Sequence, residues 1–302
     1  MSRRGWALFA AMCLIWGIPY LLIRVAVRDF SPASLVFFRT AIAALVLLPL
    51  AVRRGDLPAV FRRWRPLLFY TAIEVTLPWW LLSTAEQHLS SALAGLLLAA
   101  VPLFGVALSR AIGTGEVFGG IRLVGLLVGL AGVGALVGLQ VEHVDDWAIV
   151  ACLLTALGYA AGPLVLSRRL TDLPAVGVVT ASLLLTAVVW CAPAVATFPT
   201  HASAKVIASV IGLALVCTAA AFLIFFELIA EVGPTRATVI TYVNPAVAIL
   251  LGVLVLNETF TAGMAVGFPL VILGSILATR KTAGGAAPAL LPEVVDEVSV
   301  NG

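Results

Sequence analysis

The sequence predicts an all-α polytopic membrane protein, with ten transmembrane helices arranged as two inverted five-helix repeats. Three observations lead there. The 302 residues are 62% hydrophobic and 11% charged, with a mean hydropathy of +1.13, whereas a soluble domain is about half apolar and about a quarter charged. The apolar residues form long unbroken runs, not the ~10-residue alternating segments of a membrane barrel. Lys and Arg are partitioned between alternate connections.

A spanning helix needs roughly 20 apolar residues, and in lipid the backbone must close its own hydrogen bonds. Cutting the chain at its charge and turn clusters gives ten runs: 6–27, 32–52, 66–85, 90–111, 119–139, 147–167, 174–198, 205–230, 235–256 and 262–279. The basic start, Ser2-Arg3-Arg4 ahead of Trp6, resembles a signal peptide. It lacks a small-residue cleavage site and reads as an uncleaved first span. Residues 282–302, with Glu293, Asp296 and Glu297, are short and polar and are expected to form a disordered cytoplasmic tail.

Charge sets the orientation. With the N-terminus inside, the inner segments carry Arg3, Arg4, Arg53, Arg54, Arg62, Arg63, Arg65, Arg110, Arg122, Arg168, Arg169, Arg236, Arg280 and Lys281. The outer segments carry only Arg24, Arg28 and Lys205, and Arg39 lies within the second span. The positive-inside rule therefore puts both termini in the cytoplasm, in a multi-pass protein of the inner (plasma) membrane. The loop with Glu142, His143, Asp145 and Asp146 has no Lys or Arg and falls outside.

Two alignments indicate duplication. Cys13, Trp16, Gly17 and Tyr20 match Cys152, Thr155, Ala156 and Tyr159 at an offset of 139, and Val101-Pro102-Leu103 matches Asn244-Pro245-Ala246 at an offset of 143. The drift reads as a change in loop length. The halves are residues 1–140 and 141–281, with five helices each. Five is odd, so the second half sits upside down. The Glu116 turn is inside and its counterpart at Glu258 outside. Inverted repeats mark secondary transporters, because two halves that exchange conformations open a central site to either side in turn. The plainer alternative is that duplication only enlarged a bundle.

Leu14-Ile15-Trp16-Gly17, Arg24-Val25-Ala26, Pro32 and Phe37-Phe38-Arg39 resemble the opening of an EamA-type transporter of the drug/metabolite transporter superfamily. Pro245 through Asn257-Glu258-Thr259 to Gly267 and Gly274 resembles the closing motif of that domain. In the first half, Gly113-Thr114-Gly115-Glu116 departs from the usual apolar-Gly-Glu pattern. The resemblance covers about residues 6–280. It implies ten helices, two EamA domains, a central cavity and, mostly, export of small metabolites such as amino acids.

Glu74 lies near the middle of the third span, where an ionised carboxylate is costly and usually functional. Tyr70, Thr71 and Pro78 share its face, which should line a cavity. It suits a proton-coupling group, a partner for a substrate amine, or an ion-pair partner of Arg39. Arg39 can clamp a carboxylate or snorkel to the outer interface; snorkelling is the expectation for Arg24. Together these charges suggest a site for a zwitterion. Trp16 and Tyr20 on the first span, and Tyr159 on the sixth, are candidate lining aromatics able to stack on a ring or cation. Membrane-interface anchoring is the alternative. Of Trp79 and Trp80, one is expected to face lipid. Pro102 and Pro245 each free a carbonyl, and are candidate hinges by kinking two related helices. Asn244 either bonds across helices or binds substrate.

Gly125-(x)3-Gly129, Gly134-(x)3-Gly138 and Gly263-(x)3-Gly267 read as close-packing seams. Cys13, Cys152, Cys191 and Cys217 read as buried free thiols, Glu227 and Glu231 as a solvated helix end. His88, His143 and His201 are far apart and offer no metal site. No nucleotide-binding loop follows Gly113-Thr114-Gly115. The expectation is a non-enzyme without metal or cofactor. Its partners would be a small-molecule substrate, the lipid bilayer and protons as a candidate coupling ion, with no nucleic acid. A membrane-embedded enzyme acting on lipid-linked substrates, or a non-transporting helical scaffold, are the other readings. The first needs a compact set of acid, base or metal ligands that the sequence lacks.

Overall fold

A computed structural model describes residues 1–113, 120–139, 145–233, 237 and 239–279. The Glu116 turn, Glu142 and His143, Arg236, the Arg280-Lys281 pair and the 282–302 tail lie outside the described residues. Every regular element among the described residues is helical. Among the described residues, eight segments are long and apolar enough to cross a membrane, and Ile240–Leu256 is a shorter apolar helix. The run over residues 64–85 is helical throughout but irregularly wound.

In chain order, the first run is two helices, α1 (Arg3–Ile15) and α2 (Pro19–Ala26). This differs from the single span expected. Gly17 and Ile18 both donate to the Leu14 carbonyl, and Pro19, lacking an N–H, opens the new helix. Then follow α3 (Pro32–Arg54), α4 (Asp56–Arg62) and α5 (Trp64–Thr71), a π-helical turn over Ala72–Thr76, and α6 (Leu77–Ala85). Pro78 has no N–H to bond back to Glu74, which favours the wider winding there. The fourth run is also divided, into α7 (Ser91–Leu98) and α8 (Val101–Ala111). Pro102 sits in the first turn of α8, so it starts a helix and does not kink a continuous one.

The remainder comprises α9 (Gly120–Gly138), α10 (Asp146–Arg169), α11 (Ala175–Ala196), α12 (Ala204–Ala214), a second π turn over Leu215–Ala220, α13 (Ala221–Val232), α14 (Ile240–Leu256) and α15 (Ala262–Thr279). Pro245 lies inside α14, which continues through it.

One spacing recurs. Arg3 and Asp146 start α1 and α10, Pro32 and Ala175 start α3 and α11, and Ala72 and Leu215 start the two π turns. Each pair is 143 positions apart, as are Pro102 and Pro245. The offset of 139 read from the Cys13 motif is therefore replaced: Trp16 corresponds to Tyr159, and Tyr20 to Pro163.

The related helices also pack together. α3 lies against α11, α7 against α14 and α9 against α15. The last pair touches backbone to backbone. A Cβ on Gly125, Gly132 or Gly274 would run into the opposing main chain, a close approach that small residues permit in membranes. Gly134 and Gly138 face open space and form no seam. Large apolar side chains such as Leu45 (65% exposed), Val188 (73%) and Leu254 (68%) point outward, as a lipid-facing surface requires. Cys191 is exposed among them, in contrast to the buried Cys13, Cys152 and Cys217.

Candidate functional site

Arg39 is buried, 7% exposed, one-third of the way along α3. A buried guanidinium needs partners, and it has two. Its Nε donates to Thr218 Oγ1 at 2.9 Å, and its Cζ lies 3.6 Å from the centroid of the Trp79 ring. Both partners depend on irregular winding. Thr218 belongs to the second π turn and donates its own hydroxyl proton to the Leu213 carbonyl, five residues back. Trp79 follows the first π turn by three residues. Arg39 therefore does not snorkel.

Glu74 occupies the middle of the first π turn. Gly158 and Gly162 of α10 let that turn approach closely: a Cβ at Gly158 would meet the Ile73 carbonyl, and one at Gly162 the Glu74 side chain. Glu74 Oε2 is buried and has no hydrogen-bond partner. No ion pair joins Glu74 to Arg39 among the described residues, which sets aside that expectation. Tyr159 is within electrostatic reach of both, with the Trp79 side chain at its hydroxyl. Tyr20, 9% exposed, faces the same group. Hydroxyls hold the third run in place on α11: Thr71 donates to Ser182 at 2.9 Å, Thr76 bonds Thr186 at 2.8 Å, and the Trp190 indole donates to the Thr76 carbonyl. Trp80 stacks on Trp190, with centroids 5.5 Å apart, and Trp79 is 6% exposed. Neither tryptophan is turned out to lipid alone.

Two candidates sit apart. Trp16 packs on Phe222 and Phe225 of α13, with centroids 6.1 and 4.7 Å away. Asn244, its amide nitrogen turned to the carbonyls, donates to Cys13 O at 3.2 Å and Ile240 O at 3.0 Å. The Cys13 carbonyl is left over where Gly17 bonds Leu14 instead, so Asn244 satisfies the break between α1 and α2.

The cluster is closed at the end of the bundle opposite the arginine-rich helix termini. Arg24 donates to the Glu86 and Gln87 carbonyls, so it too is engaged and not snorkelling. Glu258 accepts from the Ser91 and Ala92 backbone N–H groups and the Ser91 hydroxyl, capping α7. Glu86, just beyond α6 and outside the membrane-spanning segment, is fully buried. Burial pushes its carboxyl well above the usual carboxylate range, and Glu258 nearby pushes the same way against the opposing pull of Arg24. At the arginine-rich end a cavity of about 370 Å³ opens between α8, α9, α10 and α15, bounded by Pro102, Ser109, Arg122, Leu164 and Thr279.

The profile of the EamA-like transporter family matches this chain twice, over residues 3–138 and 146–280. The chain belongs to the EamA-like transporter family. It is 31% identical to the uncharacterized inner membrane transporter YedA of Escherichia coli (strain K12), over 97% of this chain and 96% of YedA. It is 28% identical to a protein of Streptantibioticus cattleyicolor described as a probable terminal-alkyne amino-acid exporter, over 97% of this chain and 98% of that one. A solved crystal structure shares the fold with a TM-score of 0.66 at 22% identity, covering 92% of this chain and 98% of its own. The protein is thus a membrane transporter of the EamA-like type.

Several parts of this EamA-like site escaped the sequence reading. Gly158-(x)3-Gly162 has the small-residue spacing of a seam and lies on the stripe that carries Thr155 and Tyr159, so it was open to discovery. Trp79 and Thr218 were not, because their roles depend on the two π turns. Glu86 carries no local sequence signal of its burial, because it falls just past the end of an apolar run.

Proposed function

We propose that this protein exports a small metabolite, an amino acid or related zwitterion, by alternating access through a central cavity. The observation that carries this is that Tyr159 lies within electrostatic reach of both Arg39 and Glu74. A buried, stacked guanidinium suits a substrate carboxylate. A buried carboxylate oxygen without a partner suits a substrate ammonium, since such an atom gains most from a charged donor. Tyr159, with Tyr20 close to it, supplies aromatic surface for the substrate. Trp16 and Asn244 line the neighbouring helix break, and Pro102 and Pro245 serve as hinges. The relative described as an amino-acid exporter supports the substrate class.

In this reading all ten runs span the bilayer as two inverted five-helix repeats, residues 1–140 and 141–281, with a cytoplasmic tail over 282–302. The two family matches and the recurrent 143-residue spacing support it. Both termini lie in the cytoplasm of the plasma membrane, as the arginine distribution favours. The cavity at the arginine-rich end then faces inward and the Arg24 and Glu258 contacts close the outer side.

The test is an export screen. Cells expressing the protein are compared with non-expressing cells across a panel of amino acids and their derivatives, and hits are repeated in proteoliposomes. The expected result is saturable export of a zwitterion that Arg39→Ala and Glu74→Gln each abolish. Export of hits that have no carboxylate or no amine, unchanged by both variants, would overturn the assignment of the site.

A further inference from the structure

The chain holds a second buried carboxylate whose role the substrate site leaves open. Glu86 is fully buried, and neither of its carboxylate oxygens has a hydrogen-bond partner. An ionised carboxylate in that position would forfeit hydration with no hydrogen bond in exchange, so the closed arrangement accommodates the neutral acid. The groups facing it are Tyr20 and Arg24 from α2, Arg39 from α3, Cys152 and Tyr159 from α10, and Glu258 from the turn after α14. Two of these are cations occupied elsewhere: Arg24 is held by the Glu86 and Gln87 carbonyls, and Arg39 by Thr218 and Trp79. Loss of the proton from Glu86 therefore demands a rearrangement. Either water enters from the outer end or an arginine leaves its present partners, and both loosen the contacts between α2 and the start of α7.

We propose that Glu86 is the proton-binding site of this transporter, and that release of its proton opens the outer end. This rests on the transport reading and adds the coupling ion and the residue that holds it. It also separates the roles of the two carboxylates: Glu74 takes the substrate amine and Glu86 the proton. Glu86 lies between the outer surface and the Tyr20–Arg39–Tyr159 cluster, so a proton arriving from outside meets it before the substrate site.

Cys152 supplies a native reporter, because it is fully buried beside Glu86. In a protein with Cys13, Cys191 and Cys217 replaced by serine, Cys152 is labelled in right-side-out vesicles with a membrane-impermeant thiol reagent, from mildly acidic to mildly alkaline pH. Dividing the labelling rate by that of the Glu86→Gln variant at each pH cancels the intrinsic reactivity of the thiol apart from the direct effect of the Glu86 charge, which raises the thiol pKa and so works against the expected rise. The expected ratio is near one in acid and rises about tenfold with pH, the change that one unit of pKa difference between closed and open states supports. Infrared difference spectra of the two proteins should show a carboxylic-acid carbonyl band that Glu86→Gln removes. Glu86→Asp should keep both signatures, displaced along the pH axis, which guards against a folding defect in Glu86→Gln. A flat ratio, or the absence of that band at acidic pH, would overturn the proposal. Neither readout needs a substrate, so a chain that passes both yet moves no solute would count against the transport reading alone.

Discussion

The guanidinium of Arg39 lies over the face of Trp79, its Cζ 3.6 Å from the ring centroid. The ring supports the charge on one side, and Thr218 fixes its Nε on another. In the proposed site the remaining guanidinium N–H groups serve the substrate carboxylate. Cation–π contacts contribute about 0.5–2 kcal/mol, so Trp79→Leu should lower the initial rate of zwitterion transport in proteoliposomes roughly twofold to thirtyfold. Trp79→Phe should retain most of it. Arg39→Lys should cost more than either, because an ammonium cannot stack, bond Thr218 and offer a fork at once.

Gly162 gives Glu74 its room. A methyl group there would overlap the Glu74 side chain, including its Cβ. Gly162→Ala should lower thermal stability modestly, since the Glu74 carboxyl can swing aside but its Cβ is fixed by the backbone of the π turn. It should also raise the substrate concentration needed for half-maximal transport several-fold. Zwitterions should be affected more than any transported substrate that lacks an amine, and a competition series in proteoliposomes measures the difference.

Glu258 caps a helix in the other half of the chain. Its carboxylate takes two backbone N–H groups and one hydroxyl at the start of α7, where the helix dipole favours negative charge. Removing such a cap costs about 1–2 kcal/mol. Glu258→Ala should lower the melting temperature in detergent. Glu258→Gln, which keeps one acceptor oxygen without the charge, should fall between the two.

Glu86 predicts a pH dependence of stability. Its folded-state pKa is raised above the unfolded value, chiefly by burial. For a carboxyl raised in this way, the associated stability is fully present below the unfolded pKa of about 4.3 and is lost as pH rises through the folded value. Glu86→Gln should therefore match wild type in acid and become the more stable protein as pH rises. Thermal unfolding followed by tryptophan fluorescence at a series of pH values checks both sign and trend. The same difference at every pH would contradict it.

Much of this architecture was legible because lipid enforces it. The long apolar runs that became membrane-crossing helices follow from hydration costs that act on composition, so composition reports them. Arg39, Glu74, Tyr20 and Tyr159 stood out for the same reason: polar or charged groups in apolar runs need company. Detail of winding was not legible. Pro19 divides the first run and Pro102 opens a new helix, yet Pro245 lies within one, and a proline alone does not say which outcome packing selects. The 139 offset failed because Tyr20 and Tyr159 coincide in type and not in place. Glu86 was passed over because α2, α3, α10 and the Glu258 turn meet around it, which no local pattern encodes.

The two π turns have a consequence for how the interior is aimed. Each accommodates one more residue than regular winding would, and one residue is about 100° of rotation about a helix axis. Deleting a single residue from Ala72–Thr76 would let the helix rewind smoothly and swing Trp79 about a quarter of a revolution away from Arg39. A deletion in Leu215–Ala220 would do the same to Phe222, which packs on Trp16. The aromatic lining is thus indexed by two surplus residues, and a shortened helix of unchanged composition and hydropathy would still cross the bilayer while presenting the wrong face to the cargo.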